Sequence, residues 1–520
     1  MLRIRLTPSV DEPVAHDDVA FFSASAPVAR AEIIRDFDDP HLELVRLVRE
    51  ATEIEHALLV QYLYAAFSVK PAYRDIMITD PPSIDATTLV GVAVQEMQHL
   101  NRVNELLVAL GAAPSLIRQD FPYEPDIYPF PLNLEPLSLS SLAKYVFTEA
   151  SSTALDPANT TDPAYLAFLE RLFDQLGHVR PNRLGSLYGT IITTLEEVLD
   201  DPPPELGDLS DWPTILEDIR SQGEEDHFNF FRELFMGTHE GFGGRPAVWS
   251  LPKNDPYYPA FPLPINPSAF EGHPRQIQAP ALRDLAWLGN LHYWIILDLL
   301  DLHYRGHPLA RQLAVAHMVG PLYSLGTHLT GLGVGLPFDP LSMGYAPGVD
   351  RDNTVRLLLR LISETDAATQ RLRAYLPPEF PFDQTQQTRD ALTGGGVTQP
   401  TNRFERVIQI LDNAIGGPNA NIGPPHGAFW RVTRDQFVAA RPVGVDLLII
   451  GNGADSNLVK ALKGEAPFGS DLPTPPAGAV FPRMPFGFAP VPDEEIAFIE
   501  QWIDDGALED PLPQPSTPTA

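Results

Sequence analysis

The sequence predicts a mainly α-helical protein, and three observations carry that expectation. Apolar residues recur at 3.6-residue spacing in one long stretch after another, strand-like alternation is scarce, and proline- and glycine-rich stretches cut the helical pattern into blocks. With 520 residues the chain is too long for one ordinary domain. The breaks divide it into a first helical bundle over 1–245, a second helical domain with Gly/Pro-rich loops over 246–395, and a small helical unit with a tail over 402–520.

The first helix is expected over 41–69, HLELVRLVREATEIEHALLVQYLYAAFSV, where Leu44, Leu47, Val48, Ala51, Leu58, Leu59, Tyr62, Leu63 and Ala66 form one stripe. Lys70-Pro71 stops it. A second helix runs from about Ser83, as N-cap, to Leu110, with Gly111 as its stop. The connector FPYEPDIYPFPLNLEP (121–136) is too irregular for a helix and too aromatic for a free linker, so it is expected to pack on the bundle. Further helical patterns cover 138–150, 164–176, 183–199 and 214–235. A second helical layer is expected over 282–305, 308–332 and 353–376, and GLGVGLPFDPLSMGYAPG (331–348) is a loop without the spacing of a phosphate-binding loop. After TGGGVTQPTN a last segment, 402–512, ends in the helix DEEIAFIEQWIDDGA.

Composition excludes several function classes. Lys and Arg total 36 against 68 Asp and Glu, a net charge of −32 that repels nucleic acid and anionic membranes. The chain has no cysteine, which rules out disulfides, thiolate metal sites, a Cys nucleophile and covalently attached haem. Any metal must therefore use oxygen and nitrogen ligands. No apolar signal core follows the N-terminus and no stretch reaches the roughly 18 apolar residues of a membrane span, so a cytoplasmic protein is expected. The expected partner is a small-molecule substrate, with neither nucleic acid nor membrane, and self-association into a homo-oligomer stays open.

The polar residues on the apolar stripes carry the chemistry. Glu55 has Ala51, Leu58, Leu59 and Tyr62 as same-face neighbours. Glu96 shares a face with Leu89, Val92, Ala93, His99, Leu100 and Val103, and Glu224 and His227 are followed on their face by Phe228 and Phe231. Glu-x-x-His thus occurs twice. Residues three apart on an α-helix project side by side, so each pair can hold one metal ion and a carboxylate from a neighbouring helix can close the site. Iron and manganese take such ligands, and the cations neutralise carboxylates that would be costly to bury alone.

The stretches EHALLVQYLYAAFSV, VQEMQHLNRVNELLVALGAAPSL, FPYEPDIYPFPL and FTEA resemble the ferritin-like domain of the iminophenyl-pyruvate dimer synthases, over about residues 40–235. The resemblance implies a ferritin-like four-helix bundle and redox chemistry on an amino-acid-derived imine or related small molecule in secondary metabolism. It carries Glu55, Glu96, His99, Glu224 and His227 over as metal ligands of a di-iron centre, with manganese as the alternative metal. For the remaining carboxylate, Glu149 in VFTEA matches the family's acidic position, and Glu196, beside Ile192, Leu195 and Leu199, is the alternative. Ser186 stands where the family often has an acid, a departure from a complete six-ligand site; with neither Glu149 nor Glu196 at the metal, a mononuclear site of Glu55, Glu96, His99 and His227 is the fallback. Tyr62 and Tyr188 face the same interior and are the candidate catalytic donors or radical carriers. The alternative function is a non-catalytic iron-binding protein, or a scaffold that has lost the chemistry.

In the last segment, PHGAFWRVTRDQFV, SNLVKALKGEAPFG and RMPFGFAPVPDEEIAFIEQWIDDGA resemble a cytochrome c-type module. Without cysteines Met484 and His426 have no attached haem to ligate, and a haem-free module used for packing or docking is expected. His292, His303, His317 and His328 are read as core or helix-end histidines, because no carboxylate pattern accompanies them.

Overall fold

The computed structural model describes residues 33–79, 85–118, 130–151, 153–177, 184–204, 206–245, 247–393, 402–415, 428–444, 446–472, 474–486, 488 and 490–512. Among them the fold is helical, with only isolated β-bridges. No helix among these residues is long and apolar enough to cross a membrane.

The first helix, α1 (Pro40–Ser68), starts where the Asp39 side chain accepts from the Leu42 N–H and Pro40 needs no partner for its nitrogen. It ends before Pro71 as expected. Helix α2 (Leu89–Ala109) begins later than the sequence suggested, because the Thr88 hydroxyl takes the cap by accepting from Gly91 N–H at 3.0 Å. Ser83 itself lies outside the described residues. A Ser138–Ser141 capping box opens α3 (Leu139–Glu149), followed by α4 (Pro163–Leu176) and α5 (Leu184–Asp200). The helix expected over 214–235 is three pieces: α6 (Trp212–Gln222), a π-helical turn at Gly223–His227, and α7 (Phe228–Met236).

Helix α1 packs against α2 and α5, α5 against α6, and α3 against α4 and α7. A second layer consists of α8 (Pro280–Tyr304), α9 (Ala310–His317), α10 (Tyr323–Gly331) and α11 (Arg351–Leu372), with α12 (Gln384–Thr393) beside α11. The sequence pattern ran α9 and α10 together. A π turn at Met318–Leu322 separates them, because Pro321 cannot donate to the helical ladder. The second layer is seated on the first through α10 and α1, where Gly326 meets the ring of Phe67.

Buried side chains from Leu44 to Phe380 form one continuous core. A separate core from Phe404 to Ala507 is built by α13 (Arg403–Ala414), α14 (Asn457–Lys463) and α15 (Asp493–Asp504) around Trp502, Phe404 and Phe437. Met484 sits at its edge, half-buried, and His426 lies outside the described residues.

Candidate metal centre

Glu55 on α1, Glu96 and His99 on α2, Glu149 at the C-terminal end of α3 and His227 in the π turn converge in the first layer, all buried. Their ligand atoms form two triads that share a carboxylate: Glu55, Glu96 and His99, and Glu96, Glu149 and His227. Glu96 is the hinge of the arrangement. Its Oε2 lies 3.0 Å from His99 Nδ1 and its Oε1 lies 2.9 Å from His227 Nδ1. Glu55 Oε2 is 3.7 Å from His99 Nδ1, Glu149 Oε2 is 3.6 Å from His227 Nδ1, and the two ring centroids are 5.7 Å apart.

The outer carboxylates are held in matching ways. The Tyr188 hydroxyl, from α5, donates to Glu55 Oε1 at 2.5 Å, and the Tyr62 hydroxyl donates to Glu149 Oε1. Each phenol ties up one oxygen and leaves the other facing inward. Glu55 Oε2 and Glu149 Oε2 are buried and have no hydrogen-bond partner among the described residues, and Glu96 Oε1 and His227 Nδ1, equally buried, face only each other at 2.9 Å. Even with Glu96 and His227 in contact, three inward-facing carboxylates packed together in a core are costly to bury unless a cation lies between them. The donor set is oxygen and nitrogen only, which fits iron or manganese.

Electrostatics within the cluster are steep. Burial, and then the charge of Glu96, push the Glu55 carboxyl up to about 8. Burial also works to raise Glu96, but the two imidazoles outweigh it and hold this carboxyl below the usual range. Burial works to lower His227, and the carboxylates of Glu96 and Glu149 overcome it, bringing the imidazole up to about 9. His99 is raised in the same manner by Glu96 and Glu55.

Not every sequence candidate joins the cluster. Glu224 is half-buried and belongs to neither triad. It lines a pocket with His99, Glu149, Tyr188, Arg220 and Gly223 that reaches the centre from between α3, α5 and α6. Glu196 is exposed, whereas Glu149 is buried beside His227; Ser186 is half-buried. Of the connector expected to pack on the bundle, residues 121–129 lie outside the described residues. In the second layer His292 and His317 are buried with their Nδ1 atoms 3.0 Å apart, and His317 Nε2 meets Thr388 Oγ1. Residue-type reasoning missed Gln95 and Gln222, whose amide oxygens each accept from a histidine Nε2 at 2.7 Å. Their signal was present: a glutamine stands ahead of both Glu-x-x-His pairs.

Comparison with known proteins agrees with this architecture. A family model described as Ferritin-like matches residues 48–209. The chain is 26% identical over 324 residues to the dichlorochromopyrrolate synthase of Lentzea aerocolonigenes, an alignment covering 51% of this chain and 31% of that protein. The chain thus matches less than a third of that relative's length. No solved structure matches. The segment that supplies Glu55, Glu96, His99 and Glu149 therefore resembles the Ferritin-like family in sequence and carries a ferritin-like helical fold.

Proposed function

We propose that the protein is a metal-dependent oxidoreductase, with a di-iron centre held by Glu55, Glu96, His99, Glu149 and His227 and with Glu224 as a fourth carboxylate at the pocket wall. The substrate is an amino-acid-derived imine or a related small molecule of secondary metabolism. The observation that carries the metal is the pair of buried triads that share Glu96, with the second oxygens of Glu55 and Glu149 turned inward without hydrogen-bond partners among the described residues. The substrate class is supported by the similarity to a synthase whose name denotes a small-molecule product. Iron held there would supply reversible one-electron chemistry, with dioxygen or peroxide as the oxidant.

The chain's own residues have definable parts in that reading. Glu96 sits between the two imidazoles and would be the shared ligand. Tyr188 and Tyr62 hold protons on Glu55 and Glu149 and fix which oxygen of each carboxylate faces the centre. Burial of the cluster excludes bulk water from it, and the pocket beside Gly223 and Tyr188, which in this conformation has room for about one water molecule, would have to widen to admit the substrate. C-terminal to the two helical layers, the Phe404–Ala507 core would serve as a haem-free packing or docking module.

Oxygen uptake by iron-loaded protein supplied with an aromatic α-imino acid, generated in situ from the amino acid by an oxidase and corrected for that oxidase, tests the activity. Uptake should depend on iron and disappear in Glu96→Ala. Iron-loaded wild-type protein that consumes no oxygen above the control would contradict the catalytic reading.

A further inference from the structure

The two histidine segments are closer copies than the Glu-x-x-His pattern suggests. Residues 95–99 read QEMQH and residues 222–227 read QGEEDH, the same Gln-Glu-x-x-His with one glycine inserted after the glutamine. In α2 the glutamine and histidine are four apart, about one α-helical turn. In the second copy they are five apart, and the chain there makes a π turn over Gly223–His227. A π turn closes over five residues instead of four, so it returns a five-apart pair to one face. The insertion also moves Glu224 away from the position that would match Glu96. Gly223 stands in that space instead, and a Cβ there would come within 3.0 Å of Glu149 Oε2.

The glutamines are then placed to reach across. Gln95 Oε1 lies 2.7 Å from His227 Nε2, and Gln222 Oε1 lies 2.7 Å from His99 Nε2. An amide oxygen only accepts, so each Nε2 carries the hydrogen and each Nδ1 faces Glu96. Both acceptors are neutral and come from the helix opposite the histidine they hold. Gln95 is buried and Gln222 half-buried, so neither bond is exposed to full competition from water.

We propose that Gln95 and Gln222 are positioning residues that cross-brace the centre, each fixing the imidazole of the other helix with Nδ1 toward the metal. The inserted Gly223 is what gives the second half-site the same brace while making room for Glu149. This rests on the metal-site reading above and adds to it the residues that set ring orientation and ligand basicity.

Cobalt(II) binding to the full-length chain tests the brace. Gln95→Leu and Gln222→Leu should each weaken cobalt affinity about 10- to 100-fold in a chelator competition. Gln95→Glu and Gln222→Glu, which keep an acceptor at the same reach, should restore it. Proton NMR of the cobalt protein adds a readout that general loss of packing would not give. The wild type should show two exchangeable, paramagnetically shifted ring N–H signals, and each Leu variant should lose one. Leu variants that bind cobalt like the wild type and keep both signals would overturn the brace and leave the metal site standing. Wild-type protein that binds no cobalt would overturn both.

Discussion

A carboxylate such as Glu96, fully buried between two histidines, is stable only because its neighbours supply positive charge, and the same accounting singles out a residue outside the centre. Asp298 on α8 is buried, and both of its carboxyl oxygens have no hydrogen-bond partner among the described residues. Burial, and then the nearby charge of Asp301, push it up to about 7. In the unfolded chain it ionises near the ordinary Asp value of about 3.9. Below that value the protonated form costs nothing extra. Between about 4 and 7 the unfolded chain releases the proton and the folded one keeps it, so stability falls as pH rises, and above 7 the loss is complete. Urea unfolding at several pH values should show this decline in the wild type and a flatter profile in Asp298→Asn, with a gain of a few kcal/mol at pH 8. An unchanged profile would show that the carboxyl is solvated in the fold. At this scale the sequence was informative where polar residues interrupt apolar stripes, as at Glu55, Glu96 and His99. Gln95 and Gln222 were marked only by their place ahead of each Glu-x-x-His pair, because an uncharged polar side chain beside a charged one carries no burial signal of its own.

Helices were legible because their apolar periodicity is long and their stops are strong: Pro71 after α1 and Gly111 after α2. What was not legible is departure from the α period. Placing Glu224 and His227 side by side assumes 3.6 residues per turn, and the π turn at Gly223–His227 breaks that assumption and leaves Glu224 on the pocket wall. The contact between the layers is also an element-scale feature with a testable consequence. Gly326 lies within α10, where alanine would by itself be favoured by up to about 1 kcal/mol. A Cβ there would come within 2.5 Å of the buried Phe67 ring, and overpacking of that kind costs about 1–3 kcal/mol. Steric cost outweighs propensity. Gly326→Ala should therefore lower the unfolding midpoint, with a net loss on the order of 1 kcal/mol; an equal or higher midpoint would mean that α10 shifts on α1 without strain.

Across the whole molecule the proline-rich stretch after residue 245 marks a change from long helices to irregular chain, yet buried side chains on both sides of it belong to one core running from Leu44 to Phe380. Sequence periodicity reports which face of a helix is apolar and not which partner covers it, so the seating of α10 on α1 came only from the fold. The Phe404–Ala507 segment keeps its own core, around Trp502. The proposed function stands on the first layer, where three carboxylates and two imidazoles from four elements meet in the buried interior of an acidic chain with net charge −32. Elemental analysis of the full chain purified from iron-supplemented cells, with Glu96→Ala and His227→Ala in parallel, tests that claim most directly. The account predicts about two iron or manganese ions per wild-type chain, one for each of the two triads that share Glu96, and loss of metal in both variants. Metal-free wild-type protein, or variants that retain the wild-type metal content, would contradict it.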